Sequence, residues 1–265
     1  MSTSEARRSP PVKSALRTLE ILEHLAAAKE PRPLGEIARA LDIPKSSLHM
    51  ILATMHDKGW VETDGTNHRF RLGLRALQAG TTYVETDDIA TLAGDTLDWL
   101  VDSVNETVHL GRLDGTDIVY LAKRESSQAL RMFSAVGRRL PAYTTALGKA
   151  LLAGLPEEQR SEHLPPTLEA LTRHTITDRR ELDLELASIR ARGYSLDNQE
   201  NSEGICCVAV AIPIADPPQD AVSCSIPILR FDAALRAKSL QDLEKARAHI
   251  VTRVRTAHRG RPADR

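Results

Sequence analysis

An α+β chain of two units, an N-terminal winged helix-turn-helix followed by a mixed domain of helices and strands, is the fold class that the sequence predicts. Three observations predict it. A length of 265 residues exceeds one small module. Residues 33 to 72 run helix, proline break, helix and then two alternating strands around a turn. Beyond about residue 88, helical patterns are mixed with mainly antiparallel strands.

Residues 1 to 11 are polar with Ser and Pro, a composition expected to stay disordered. Val12 to Ala28 predicts a first helix with Leu16, Leu19, Leu22 and Leu25 inward, and Lys29 to Pro33 its exit loop. After the breakers Pro31 and Pro33, the apolar positions Leu34, Ile37, Ala38 and Leu41 form one stripe of a short helix. Asp42-Ile43-Pro44 interrupts it. Proline disfavours helical geometry in the residue before it but suits a first turn, so Pro44 ends one helix and opens the next. That next helix carries Leu48, Ile51, Leu52 and Met55 inward, with Lys45, Ser46, Ser47, His49, Met50, Ala53 and Thr54 on the rest, and Gly59 caps it. The outward face is small, polar or basic at its N-terminal end, where a recognition helix meets phosphates and base edges. Trp60 to Thr63 and Arg69 to Leu72 alternate as strands around Asp64-Gly65-Thr66-Asn67, a hairpin turn. Each piece alone is ordinary. A helix pair with a small polar face, followed by a basic ribbon, is specific enough to predict duplex DNA as a partner.

Leu72 to Gly80, with apolar Leu74 and Leu77, starts a linker helix, and the units are expected to meet between about Gly80 and Asp88. Asp88 to Val104 is predicted as one helix on Ile89, Leu92, Leu97 and Leu100, weakened at Gly94. Glu106 to Leu113 and Asp117 to Lys123 are strands joined at Asp114-Gly115-Thr116, and Leu130 to Phe133 is a short strand. Thr145 to Ala153 is a helix ended by Gly154, and Pro156 to Leu164 another. Asp178 with Glu181 three residues on marks a helix start, Leu182, Leu186 and Ile189 its core stripe, and Gly193 its end. Tyr194 to Asn198, Cys206 to Pro213 and Ala221 to Ile228 are strands, and Asp232 caps a last helix reaching about Val254.

With 42% hydrophobic and 27% charged residues, composition indicates neither disorder nor a membrane protein. No apolar run approaches the ~20 residues of a membrane span, and Met1 to Lys13 lacks a signal-peptide core, so a cytoplasmic protein without a membrane partner is expected. Cys206, Cys207 and Cys224 lack metal-ligand spacing and predict buried free thiols; neither metal nor cofactor is expected. The net charge of -1 hides an asymmetry. Residues 7 to 75 hold 12 Lys and Arg against 8 Asp and Glu, while residues 76 to 265 hold 23 against 27. A basic reader attached to a neutral sensor fits that split. An enzyme is the competing class, a small-molecule converter with an accessory protein-interaction module. No nucleophile elbow, P-loop, dinucleotide fingerprint or His-Glu-x-x-His site supports it, and His109, alone on an alternating strand, reads as a packed or surface histidine.

Three segments together carry a resemblance to the IclR-type transcriptional regulators. They are Leu34 to Met55 with its wing and Arg71-Leu72-Gly73-Leu74; Leu140-Pro141 with Thr144 to Ala150; and Arg192 to Asp197 through Glu203-Gly204-Ile205, ending in Pro213, Ser223, Ser225 and Pro227. The match spans about Val12 to Arg255. It implies a winged helix-turn-helix over residues 12–75, a linker helix over 76–88 and a GAF-like effector domain over 89–255, with 256–265 left disordered. It also implies that the helix from Lys45 to Lys58 enters the major groove. Candidate DNA contacts are then Lys45, Ser46, Ser47, His49, Met50 and Thr54, with Arg69 and Arg71 of the wing reaching backbone or minor groove. Such regulators often hold Arg where Met50 stands; methionine offers apolar contact rather than a bidentate grip on guanine. The effector pocket is implied around Met132, Ala146, Leu147, Asp197, Cys207, Ser223 and Ser225.

Residue chemistry agrees with a small carboxylate there. Thr144 and Thr145 precede a helix whose first amides and dipole favour an anion, and Ser223 and Ser225, two apart on a strand, share a side. Ser223 and Ser225 read equally as plain strand residues, and Asp197 either binds a ligand hydroxyl or pins its own loop. Because one winged helix reads few base pairs, a homodimer or tetramer on a repeated operator is expected.

Overall fold

The computed structural model describes residues 11–28, 30–64, 69–132 and 134–260. The expected disorder of residues 1–10 and 261–265, the turn residues 65–67 and the strand end at Phe133 lie outside the described residues. The chain divides into two units, one ending at Tyr83 and the other beginning at Val84.

In the first unit α1 (Lys13–Ala27), β1 (Arg32–Pro33), α2 (Leu34–Ala40), α3 (Lys45–Asp57), β2 (Val61–Thr63) and β3 (Arg69–Leu72) enclose a core of Ile21, Leu25, Ile37, Leu48, Leu52, Met55 and Phe70. The inward stripe of α1 differs from expectation. Leu25 is buried, but Ile21 accompanies it, while Leu16 and Leu19 are 41% and 58% exposed. Spacing by three falls about 60° short of a full turn at each step, so Leu16 and Leu25 end on opposite sides of the helix. Pro44 does bound the two helices: it occupies the N-cap of α3 with φ -54° and ψ 133°. Arg32 and Pro33 are not loop but a strand pairing antiparallel with Arg69 and Phe70, giving the order β1-β3-β2. Proline suits that edge because it has no N-H to leave unpaired. From Leu74 a further helix, α4, runs to Thr86.

The second unit opens with α5 (Asp88–Leu92) and α6 (Gly94–Val104), two helices in place of the single one expected. The break falls at Ala93-Gly94, and the Asp87 carboxylate starts the first by accepting from the Ile89 and Ala90 amides. Then come β4 (Thr107–Asp114), β5 (Asp117–Arg124), β6 (Arg139–Pro141), α7 (Ala146–Gly154), α8 (Glu157–Arg160), α9 (Arg179–Arg192), β7 (Ser195–Asn198), β8 (Ile205–Ile212), β9 (Asp220–Pro227) and α10 (Ala233–Gly260). The strand expected from Leu130 is absent from Leu130 to Met132, where Leu130 is exposed; the paired segment is Arg139–Pro141, held against Asp117 to Val119. The last helix continues past Val254 to Gly260, so residues 256–260, expected to be disordered, are helical, since no Gly or Pro interrupts the helix before then.

Six antiparallel strands in the order β6-β5-β4-β9-β8-β7 form one sheet covered on both faces. Val108, Leu110, Val208, Val210, Val222 and Ile226 pack with α6 and α10 through Leu97, Leu100, Leu243 and Ile250. Ile118, Tyr120, Cys207, Ala209 and Ala221 pack with α7 and α9 through Leu147, Leu151, Leu182 and Leu186. This explains why β8 reads as a continuous apolar run, whereas β9 alternates Val222, Cys224 and Ile226 with Ser223 and Ser225. Gly148 lets α7 lie against the preceding turn: a Cβ there would stand 2.1 Å from the Ala142 carbonyl oxygen and 2.4 Å from its Cα. Backbone cannot swing aside, so Gly148→Ala is expected to lower stability by about 1–3 kcal/mol, as over-packing does. A urea midpoint equal to that of the parent would refute this close packing.

Candidate nucleic-acid interface and ligand pocket

At about 100° per residue, the buried Leu48, Leu52 and Met55 of α3 place Ser46, Met50, Ala53 and Asp57 opposite the core. Met50 is 65% exposed. Lys45 and His49 lie on one flank of that outer face, and Ser47 and Thr54 on the other. The second flank borders a groove of about 600 Å3 between α3 and α1, lined by Ser47, Met50, Thr54 and Lys58 opposite Lys13 and Arg17. The Thr54 hydroxyl donates to the Met50 carbonyl at 3.0 Å, which leaves its oxygen as an acceptor. On the wing, Arg69 and Arg71 alternate with buried Phe70 and both point outward. Arg71 donates to Glu62 Oε2 at 2.9 and 3.2 Å, and Arg69 to the Pro31 carbonyl at 3.3 Å.

The second site lies between α7 and the sheet. Met132, Ala146, Leu147, Asp197, Cys207, Ser223 and Ser225, drawn from five parts of the chain, line one cavity of about 10 Å3, room for a single water. Register explains the convergence. Asp197 stands opposite Cys207, Cys207 opposite Ser225 and Ser225 opposite Thr107, while His109 stands opposite Ser223. These positions share the face turned to α7.

Ser225 is enclosed by a network. Its oxygen accepts from the Cys207 thiol at 3.3 Å and lies 3.3 Å from His109 Nδ1, whose other ring nitrogen is 2.7 Å from Ser134 Oγ. Burial, then Lys123 and Arg138, push the His109 imidazole down to about 3, so the ring is neutral, stacked on Tyr120 at 4.3 Å. Sequence reading classed it as packed or surface; it is packed and beside the pocket. Ser223 is only 3% exposed, and its hydroxyl has no hydrogen-bond partner among the described residues. Asp197 Oδ1 accepts from the Glu200 amide at 2.7 Å, so the carboxyl pins its own loop while also lining the cavity. Burial, then repulsion from Glu200, raise the Asp197 carboxyl to about 7. The Cys207 thiol is pushed well up by burial and stays protonated. All three cysteines are free and buried.

Thr145 caps α7, its oxygen accepting from the Gly148 amide at 2.9 Å, which leaves the Ala146 and Leu147 amides without partners inside the helix. Asn201 reaches across to Thr144 Oγ1 at 2.8 Å. Sequence reasoning missed one fully buried charge. Lys149, 1% exposed, donates to both Glu200 oxygens at 2.5 and 2.6 Å. A lone charge in the apolar run Ala146 to Ala153 was the available signal, since lysine is almost never fully buried unless paired.

Comparison with known proteins finds two family models. The IclR helix-turn-helix domain matches residues 14–65, and the bacterial transcriptional regulator IclR C-terminal domain matches residues 81–252. The HTH-type transcriptional regulator KdgR of Escherichia coli is 34% identical over 238 residues, 87% of this chain and 89% of that protein. XynR, another HTH-type regulator of Escherichia coli, is 34% identical over 204 residues, 77% of this chain and 81% of its own length. Among solved structures, Thermotoga maritima IclR superposes with a TM-score of 0.69 at 30% identity, covering 91% of this chain and 98% of that one.

Proposed function

The chain belongs to the IclR family of bacterial transcriptional regulators, whose relatives are regulators and not enzymes, and from that premise we propose that it senses a small carboxylate-bearing metabolite and adjusts its grip on operator DNA. The reading head is residues 12–75, with the linker over 76–88 and the sensor over 89–255. On the head, Lys45, Ser46, Ser47, His49, Met50 and Thr54 present α3 to the major groove, and Arg69 and Arg71 reach backbone or minor groove. In the sensor, Asp197, Ser223, Ser225 and Cys207, with Met132, Ala146 and Leu147, hold the ligand.

One observation carries the ligand reading: the hydroxyl of buried Ser223, without a hydrogen-bond partner among the described residues, shares a cavity with the N-terminal residues of α7. A carboxylate there would take the free amides of Ala146 and Leu147 and the Ser223 hydroxyl. Its binding shifts operator affinity by the difference in its own affinity for the two arrangements of the protein.

Self-association as a homodimer or tetramer is supported by an exposed apolar stripe, Val12 at the N-cap of α1 with Leu16 and Leu19 on the helix. Among the described residues no helix is long and apolar enough to cross a membrane. A DNA target supports a cytoplasmic location.

A thermal-shift screen of aliphatic, aromatic and sugar acids tests the sensor. A ligand at a hundred times its dissociation constant adds about 2.7 kcal/mol, or roughly 5–10 °C for a unit of this size. Ser223→Ala is expected to remove most of that shift while salt-dependent gel retardation of the DNA upstream of the chain's gene is unchanged. An undiminished shift would take Ser223 out of the site.

A further inference from the structure

We infer that α1 is part of the DNA-contacting surface: Lys13 and Arg17, with Lys58 of α3, seat one phosphate strand of the duplex in the groove between α1 and α3. The inference rests on the reading that α3 enters the major groove. Lys13 and Arg17 stand one turn apart on α1 and, with Lys58, line the same groove as Ser47 and Thr54 of α3. None of the three cations has a hydrogen-bond or ion-pair partner among the described residues. No carboxylate among the described residues lines the groove. Ile51, Met55 and Trp60 also line it, together with the hydroxyls of Ser14, Ser47 and Thr18, the last of which already donates to the Ser14 carbonyl.

The wing presents the contrasting arrangement. Arg71 begins paired with Glu62, and Arg69 with a carbonyl, so neither guanidinium is wholly free for an incoming phosphate. A strip of unpaired positive charge beside hydroxyl donors is the composition that binds sugar-phosphate without reading sequence. It flanks the outer face of α3, so a strand lying there would fix the register in which Ser46 and Met50 meet base edges. Phosphate binding is thereby supplied by the first helix as well as by the wing.

The test measures affinity for two 40-base-pair duplexes, one from upstream of the chain's gene and one scrambled, across a salt series. Removing one cation from its phosphate lowers the slope of log K against log salt by about one. Lys13→Gln with Arg17→Gln is expected to weaken both duplexes about equally and to reduce the slope by about two, while Lys13→Arg with Arg17→Lys restores it. Lys13 is exposed, Arg17 is half-buried without a partner among the described residues, and Gln is a good helix former, so little change in melting is expected. A parent protein that binds with the double-Gln slope equal to its own overturns the inference alone. Failure of the parent to retard either duplex overturns the regulator reading with it. A double-Gln variant that loses self-association at constant slope would assign the groove to a second copy instead.

Discussion

Replacing Lys149 with methionine is expected to lower the stability of the second unit by about 3–5 kcal/mol, the usual cost of removing one partner from a buried ion pair. For a unit of this size that is a fall of roughly 6–20 °C in melting temperature. The reason is that Glu200 stays behind. Its carboxylate is buried beside α7, and even with Lys149 attached, burial holds its affinity for a proton above the ordinary range. Without the ammonium it is raised further. The folded variant then keeps a proton that the unfolded chain releases above about 4.5, so its deficit deepens as pH rises, and is greater at pH 8 than at pH 5. Changing both residues, Lys149→Met with Glu200→Leu, is expected to recover most of the loss, because no uncompensated charge remains. Calorimetry decides it: a melting point within 2 °C of the parent for the single variant would show that the pair contributes nothing.

Asp197→Asn is expected to act in the opposite direction. The carboxyl rises from 3.8 to about 7 in the folded chain, chiefly from burial and then from Glu200. Between those two values the folded protein holds a proton that the unfolded chain has lost, so stability falls as pH rises through the window and stays low above it. Three units at 1.36 kcal/mol each make about 4 kcal/mol. Asparagine can still accept from the Glu200 amide but has no charge to desolvate. The variant should therefore match the parent near pH 4 and exceed it at pH 8 by up to about 4 kcal/mol. Denaturation curves that stay parallel from pH 4 to pH 8 would contradict the assignment.

The first unit was legible because its signals are local. Pro44 marks a boundary within two residues of its cause, and the stripe from Leu48 to Met55 fixes which side of α3 is wet. β1 escaped because two residues have no periodicity; its pairing with Arg69 and Phe70 is set from almost forty positions away. The same distance problem hid β6, whose partner is on β5, and the Lys149 to Glu200 pair, 51 positions apart. Of the pocket, residue spacing alone gave only that Ser223 and Ser225 share a side and that Thr145 opens a helix. The remaining members came from the family resemblance, since nothing local joins Met132 to Asp197.

The nearly solid interior between α7 and the sheet sets a threshold for anything that would occupy it. Space for one water means that lining side chains, Leu147 and Met132 among them, would have to shift before a larger guest is seated, and the work of displacing them would be subtracted from its affinity. Half-occupancy moves to higher concentration. If the proposed ligand is taken up there, traces of it would leave the domain silent, and a near-analogue that forces the same opening but fills it less completely would be refused twice, once by the work and once by the poorer fit.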